Sequence, residues 1–358
     1  MRSFKIFFAA LLVILFHFKG ISEHSFPAEE IWTKIIKTWI LHGHTGVSLF
    51  LVLSAFLFTL ICSVGERKIH YRKFIYNRIL RIFPLILVII FIVITVSRGV
   101  STPLDILRVL TLQLNTGNPH TGWGQEFFPS GPIWTIAVEF QFYLLFPFLI
   151  LFSNRYGMKW LMLSVLFVVL IRLLVVSLND KQIYFDLYHS IIGRLDQFLV
   201  GIIAGIIYLK LRYLNIRNIH LSILLISSFA ILTYLLHNND IRIQSKYMSS
   251  VFQFLLEGIL WASIIICYMM IKIPDALLLN RISKILAWLG SLSFSIYLLH
   301  LPVGEVITRI FILLEPNSLL ESIYYNLIRL PFIIFISIVA FYSVEKPFME
   351  LRVKYLES

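Results

Sequence analysis

Long apolar runs recur from one end of the chain to the other and constrain the fold more than any other feature. A helix needs roughly 20 mostly apolar residues to cross the hydrocarbon core of a bilayer, and about 17 to 25 are tolerated. With 59% hydrophobic and 14% charged residues, the chain has too little polar surface for a soluble globular protein. About ten segments meet the length requirement, and they are residues 4–20, 44–63, 82–98, 133–153, 158–178, 191–209, 219–237, 251–271, 284–303 and 327–344.

These runs predict an all-α fold, a polytopic transmembrane helical bundle of about ten spans. No polar block separates the runs, so we expect one membrane domain over residues 1–348 and a short cytoplasmic tail over residues 349–358. The first run has the basic start and apolar core of a signal peptide, but no small-residue cleavage site follows it. We therefore expect it to be retained as the first span.

The formal net charge of +12 comes from short basic clusters between the apolar runs. Clusters at this position meet anionic lipid headgroups, so we expect membrane lipids and no nucleic acid as partners. Cytoplasmic loops carry an excess of Lys and Arg, which places the clusters at residues 67–81 and 210–217 inside and both termini in the cytoplasm. The longest connection, residues 99–132, then lies outside and is a candidate cover for an active site.

Two ionisable residues fall at predicted membrane depth, where such groups are costly and are functional candidates by default. His17 lies near the outer end of the first span, and Glu139 lies in the fourth span, which enters from outside. A helix rises about 1.5 Å per residue, so both residues are expected in the outer third of the bilayer. Glu139 could orient His17 as a general base, or the two could form a helix-packing hydrogen bond.

Arg78 and Arg81 form a second candidate site in the segment YNRILRIFP, just before Pro84. Residues three apart share one face of a helix, and this face is expected at the cytoplasmic headgroup layer. Guanidinium groups bind phosphates well, so the pair could hold the phosphates of a nucleotide-containing donor. Ordinary anchoring of a span by positive charge is the alternative.

Other polar residues allow more than one interpretation. Arg194 and Asp196 open the sixth span and could contact a polar acceptor, although a structural salt bridge is favoured. His300 lies near the outer end of the ninth span, where packing is favoured over catalysis. His42 and His44 have no further ligand cluster beside them, so no metal site is predicted. The chain also lacks a convincing nucleophile elbow, P-loop or dinucleotide fingerprint.

Seven segments, taken in order, resemble the acyltransferase 3 family of membrane proteins, whose members include bacterial O-acetyltransferases of surface polysaccharides. They are AALLVILFHF, GVSLFLVLSAFLFT, FIYNRILRIFPL, IWTIAVEFQFYLLFPFL, RLDQFLVGIIAG, LGSLSFSIYLLH and VEKPF. Each segment alone is a weak apolar pattern, but seven in the family's order are specific. The resemblance spans nearly the whole chain and implies that residues 1–348 form an acyltransferase 3-like membrane domain.

The resemblance also implies roles for individual residues. His17 corresponds to the essential first-span histidine, and Arg78 and Arg81 correspond to the family's R-x-x-R pair. Glu139 corresponds to the acidic residue of the W-x-x-x-V-E-x-x-F-Y pattern, which begins here at Trp134.

Trp134, Arg194 and Asp196 are the candidates for substrate contact. Three positions depart from the family's pattern, because Ile6 stands where an arginine is frequent, Ser48 where an acid is frequent and Ala55 where a glycine is frequent.

The implied reaction moves an acyl group, commonly acetyl, from a coenzyme A thioester to a hydroxyl of an outward-facing or lipid-linked glycan. No cofactor is expected to be bound permanently, and the implied location is a bacterial inner (plasma) membrane. Only about ten residues follow Phe348, so any extracytoplasmic acyl-handling partner is expected to be a separate protein. A transporter or flippase of a polar substrate, and a scaffold without catalytic activity, remain as alternatives.

Overall fold

The computed structural model describes residues 4–21, 30–62, 68–96, 99, 102–113, 115, 133–178, 187–238, 249–272 and 277–357. These residues are almost entirely helical. In chain order the helices are α1 (Phe4–His17), α2 (Ile31–Leu41), α3 (Thr45–Cys62), α4 (Tyr71–Val96), α5 (Pro103–Leu110), α6 (Trp134–Tyr156), α7 (Met158–Leu178), α8 (Ile191–Leu211), α9 (Asn218–Asn238), α10 (Ser249–Met270), α11 (Leu277–Ser291), α12 (Ser293–Ile310), α13 (Leu319–Ala340), a π-helix (Phe341–Glu345) and α14 (Lys346–Glu350).

The predicted all-α, polytopic fold is confirmed. Among the described residues, eight helices are long and apolar enough to cross a membrane, or nine if the bent pair α11–α12 forms one span. The helix α1 is apolar but shorter. The orientation of the termini stays a prediction.

Several predicted bounds differ from the helices. The first helix ends at His17, whereas the predicted span continues to residue 20. The helix α4 begins at Tyr71, although the predicted span begins at residue 82, and it therefore contains both Arg78 and Arg81. Hydropathy marks only the apolar part of a helix, whereas the backbone hydrogen bonds continue into basic residues that favour the helical conformation.

The predicted ninth span, residues 284–303, contains a break. Helices α11 and α12 meet at Leu292, where the axis bends by 67°. Leu292 is buried in a core cluster that also contains Ile296, Ile333 and residues of α1. The break is therefore packed inside the unit to which it belongs.

The chain forms two compact units, each assembled from separate segments. Unit 1 contains Met1–Gly46, Tyr76–Ala137 and Leu277–Val353, and unit 2 contains Val47–Ile75, Val138–Ala276 and Lys354–Ser358. The predicted division of the chain at residue 348 stays a prediction.

Close packing of α1 holds unit 1 together. A Cβ atom added at Gly43 would lie 2.1 Å from the carbonyl oxygen of Leu12, and one added at Gly304 would lie 2.1 Å from the ring of Phe18. At Gly43 a larger side chain would require a shift of the α1 backbone, and at Gly304 it would require the ring of Phe18 to move. The C-terminal end of α1 is thereby fixed against its neighbours.

In unit 2, the helix α8 carries glycines four positions apart, at Gly201 and Gly205. A Cβ atom at Gly201 would lie 2.3 Å from the carbonyl oxygen of Val52, and one at Gly205 would lie 2.7 Å from Cβ of Thr59. Small residues at this spacing let two helix backbones approach closely inside a membrane. The pattern therefore explains the close contact of α8 with α3.

The C-terminal residues pair with earlier parts of the chain. Within unit 2, β2 (Leu356–Glu357) pairs antiparallel with β1 (Lys68–Ile69). Within unit 1, the amide of Asn77 donates to the carbonyl of Val353 at 2.6 Å. Residues of the predicted tail are thus hydrogen-bonded to earlier parts of the chain, and the two-residue ladder leaves the fold all-α.

Candidate functional site

His17 is the last residue of α1, and its side chain is exposed. Its Nδ1 atom lies 2.9 Å from the carbonyl oxygen of Val13 and 3.2 Å from Nε2 of His300 on α12. The two imidazole rings have centroids 5.0 Å apart. Unit 1 therefore places a second histidine, 283 positions away in the chain, directly behind the predicted catalytic histidine.

His300 differs from His17 in its surroundings. Its side chain is 0% exposed, and its Nδ1 atom lies 2.6 Å from the carbonyl oxygen of Tyr297. The phenol of Tyr297 accepts a hydrogen bond from Thr135, the neighbour of the buried Trp134. The ring of His300 is therefore enclosed by the protein, whereas the ring of His17 is exposed.

Side chains from α13 cap the C-terminal end of α1, where backbone carbonyls lack helical partners. Asn326 donates to the carbonyl of Phe18 at 3.1 Å, and Ser322 donates to the carbonyl of Lys19 at 2.5 Å. The guanidinium of Arg329 lies 4.8 Å from the ring centroid of Phe18. These contacts fix the backbone immediately after His17.

Glu139 lies in unit 2 and is buried on α6. Its Oε1 atom accepts a hydrogen bond from Ser54 at 3.0 Å and another from the phenol of Tyr143. Tyr143 belongs to the same sequence pattern as Glu139, so the pattern places a phenol one helical turn from the carboxylate. Since His17 belongs to unit 1, the pairing of His17 with Glu139 stays a prediction.

Arg81 forms an ion pair that the sequence did not reveal. Its Nη1 atom donates to Glu345 at 2.6 Å, and its Nη2 atom donates to the carbonyl of Ser291 at 3.3 Å. Glu345 ends the π-helix, is 0% exposed and also accepts from the hydroxyl of Ser295. Arg81 therefore connects α4 to the break between α11 and α12. The segment VEKPF contains Glu345, but its sequence does not indicate that Arg81 is the partner of this residue.

Asp196 in unit 2 pairs with Arg172 of α7. The two groups lie 2.6 Å apart and both are 0% exposed, and Arg172 also donates to the carbonyl of Gly193 at 3.1 Å. Sequence reasoning missed Arg172, although a single charged residue in the middle of the apolar run of α7 indicates a buried polar partner.

Arg194 is buried beside this ion pair. Its guanidinium carbon lies 3.9 Å from the ring centroid of Tyr188 and 4.2 Å from that of Phe254. Its Nη1 atom lies 3.4 Å from Ser48 Oγ, which donates to Glu257 at 2.7 Å. Arg172, Arg194, Asp196 and Glu257 thus bring two positive and two negative charges into one packed region, hereafter the ionic network.

Among the residues that the structure describes, no three or more His, Cys, Asp or Glu side chains are grouped to hold a metal ion. His42 and His44 have ring centroids 5.8 Å apart. Most of the long predicted outer loop, including Trp123, Gln125 and Glu126, lies outside the described residues.

A family model described as an acyltransferase domain matches residues 7–344. The O-acetyltransferase OatA of Staphylococcus aureus strain COL is 26% identical over 329 residues, which cover 82% of this chain and 53% of OatA. An uncharacterized protein of Haemophilus influenzae strain Rd is 25% identical over 195 residues, covering 48% of this chain and 76% of that protein. The chain thus spans about half the length of its OatA relatives. No solved structure matches it.

Proposed function

The chain belongs to the acyltransferase domain family, and we propose that this multi-pass membrane protein is an O-acyltransferase. The proposed reaction moves an acyl group, preferentially acetyl, from a coenzyme A thioester to a hydroxyl of a cell-surface or lipid-linked glycan. The similarity to OatA, whose name describes an O-acetyltransferase, supports this reaction class. The observation that carries the proposal is the exposed imidazole of His17, held at Nδ1 by a carbonyl and by a buried second imidazole.

In the proposed mechanism His17 is the general base. It takes the proton of the acceptor hydroxyl while the hydroxyl oxygen attacks the thioester carbonyl. The carbon–sulfur bond then breaks, the new ester forms, and the thiolate of coenzyme A receives the proton from the imidazolium. A positioned base of this kind contributes about 100- to 10,000-fold to the rate.

A second route uses His17 as a nucleophile. The imidazole attacks the thioester and releases the thiol of coenzyme A, and the acyl-imidazole then transfers its acyl group to the hydroxyl. Both routes need an imidazole that meets substrate on one side and is held on the other. The contacts of His17 with Val13 and His300 support that requirement.

Arg78 and Arg81 are the proposed contacts for the phosphates of the donor. Both lie on α4, whose first residues are basic and exposed. Arg81 is also paired with Glu345, so its guanidinium would have both a structural and a phosphate-binding role. Contacts of Trp134, Arg194 and Asp196 with the acceptor remain part of the proposal.

The proposal places the protein in a bacterial inner membrane and includes a separate extracytoplasmic protein that handles the acyl group. To test the reaction, membranes containing the protein receive coenzyme A carrying a labelled acetyl group. We expect alkali-labile label in lipid-linked or surface glycan, and none in membranes without the protein.

The same preparation tests the rival function. Proton-coupled movement of a polar substrate that does not depend on acyl-coenzyme A, together with the absence of labelled ester, would contradict the proposal and favour a transporter. Label that remains as free acetate in both membrane preparations would also contradict it.

A further inference from the structure

The buried imidazole of His300 has a defined tautomer. Its Nδ1 atom lies 2.6 Å from the carbonyl oxygen of Tyr297, and a carbonyl oxygen can only accept a hydrogen bond. Nδ1 of His300 therefore carries the proton. A charged imidazole would be costly at a site that is 0% exposed, so the ring is neutral and its Nε2 atom holds a lone pair.

That assignment determines the tautomer of His17. The Nδ1 atom of His17 lies 3.2 Å from the Nε2 acceptor of His300 and 2.9 Å from the carbonyl oxygen of Val13. Both neighbours accept hydrogen bonds, so Nδ1 of His17 must be the donor. The lone pair of His17 is then on Nε2.

We propose that His300 is a positioning residue that holds His17 in the tautomer with its proton on Nδ1 and its lone pair on Nε2. This inference rests on the proposed function of His17 as the general base. The proton of the acceptor hydroxyl goes to Nε2, while the Nδ1 proton stays shared with His300 and Val13. His17 also ends α1, and the negative end of a helix dipole stabilises the imidazolium formed in this step.

A carboxylate holds the imidazole in the correct tautomer in many hydrolases. Here a neutral imidazole has that role, and its own tautomer is set by the backbone of Tyr297. If His300 only filled space, a phenylalanine of similar size would leave the proton position on His17 unchanged. Exchange of His300 for a residue that cannot accept a hydrogen bond therefore separates packing from positioning.

Two variants of His300 make this separation. His300→Gln keeps an acceptor in its amide oxygen, whereas His300→Phe keeps the bulk without an acceptor. Losing an orienting partner typically costs about 10- to 100-fold in activity, so we expect His300→Phe to lower kcat by that factor with KM unchanged. His300→Gln should restore most of kcat, and His220→Phe, on the exposed end of α9, is the control.

Nitrogen-15 NMR of histidine-labelled protein in lipid nanodiscs reads the tautomer directly, with His17→Gln used to assign the signals. We expect the proton of His17 on Nδ1 in the wild type and in His300→Gln. In His300→Phe a population with the proton on Nε2 should appear.

A wild-type proton on Nε2, or the same tautomer in wild type and His300→Phe, would overturn the inference. The NMR measurement needs no substrate, so it separates the two proposals. The predicted tautomers in a protein that transfers no acyl group would contradict the proposed function and leave the positioning of His17 by His300 supported.

Discussion

The histidine pair of unit 1 and the ionic network of unit 2 both place polar groups among apolar helices, but they expose them differently. His17 is exposed and is held from behind by a buried partner. Arg172, Arg194 and Asp196 are all 0% exposed, and protein atoms surround their charged groups. Depth in the membrane makes both regions functional candidates from sequence. Exposure separates them, because the ring of His17 is open to a substrate whereas the charged groups of the ionic network are enclosed by their protein partners.

The two regions also differ in what their loss should change. Removing the imidazole of His17 takes one hydrogen bond from the neutral ring of His300 but leaves no buried charge without its counter-charge, so the fold should survive. Removing one member of a buried ion pair leaves an uncompensated charge in an apolar environment, which is strongly destabilising. The comparison thus predicts an effect on rate in unit 1 and an effect on stability in unit 2.

The largest effect is expected for His17→Ala. Loss of a general base lowers the rate of acyl transfer by about 100- to 10,000-fold, which corresponds to about 3 to 5 kcal/mol in activation free energy. The rate is measured with labelled acetyl-coenzyme A and normalised to folded protein. His220→Ala is the control and should match the wild type. A wild-type rate in His17→Ala would contradict the catalytic role of His17.

Arg172→Met is expected to destabilise unit 2 by about 3 to 5 kcal/mol, because the buried Asp196 loses the guanidinium that pairs with it at 2.6 Å. The thermal denaturation midpoint in detergent, measured beside the wild type, reports the loss. The double variant Arg172→Met with Asp196→Leu removes both charges and should recover most of the stability. A single variant as stable as the wild type would show that the ion pair does not hold α7 and α8 together.

Within unit 1, the variants Arg78→Gln and Arg81→Gln distinguish an effect on donor binding from an effect on stability. A hydrogen bond to a charged group contributes about 1.5 to 3 kcal/mol, so Arg78→Gln should raise KM for the acyl donor about 10-fold or more. Its kcat should not change. Arg81→Gln should also lower the midpoint, because Glu345 is buried and loses its cation. A midpoint of Arg81→Gln equal to that of the wild type would contradict a structural role of the Arg81–Glu345 pair.

The smallest effect is expected for Gly201→Ala. The added Cβ atom would lie 2.3 Å from the carbonyl oxygen of Val52, and such overpacking costs about 1 to 3 kcal/mol. The higher helix propensity of alanine offsets about 1 kcal/mol, which leaves a net loss of about 1 kcal/mol in stability. Gly258→Ala, whose nearest contact would be 3.3 Å from Cγ of Gln197, is the matched control. A Gly201→Ala variant at least as stable as this control would contradict close α3–α8 packing.

The sequence predicted the presence of the helices better than the residues at which they begin, end or break. Hydropathy identified the apolar runs because the hydrocarbon core requires them. It placed the start of α4 at residue 82 and not at Tyr71, and it did not show the break at Leu292. Both features depend on helix propensity and on side chains that pack from elsewhere in the chain, which a hydropathy window does not register.

In the candidate site, too, the sequence predicted some features and not others. His17 and Arg81 could be named from their chemistry and spacing, but their partners could not. His300 is 283 positions from His17, and Glu345 is 264 positions from Arg81. One sequence contains no signal that links residues so far apart, since the contacts exist only once the helices pack. For the same reason the sequence alone favours packing over catalysis for His300, whereas its hydrogen bonds support the positioning role that we propose.

The catalytic role of His17 is tested most directly by measuring acyl transfer per folded molecule for His17→Ala and Arg172→Met in the same membranes. Labelled acetyl-coenzyme A is the donor, and fluorescence-detected size-exclusion chromatography counts folded protein. We expect His17→Ala to be folded but to transfer almost no label, whereas Arg172→Met should yield less folded protein that transfers at the wild-type rate. Transfer by folded His17→Ala at the wild-type rate would contradict that catalytic role.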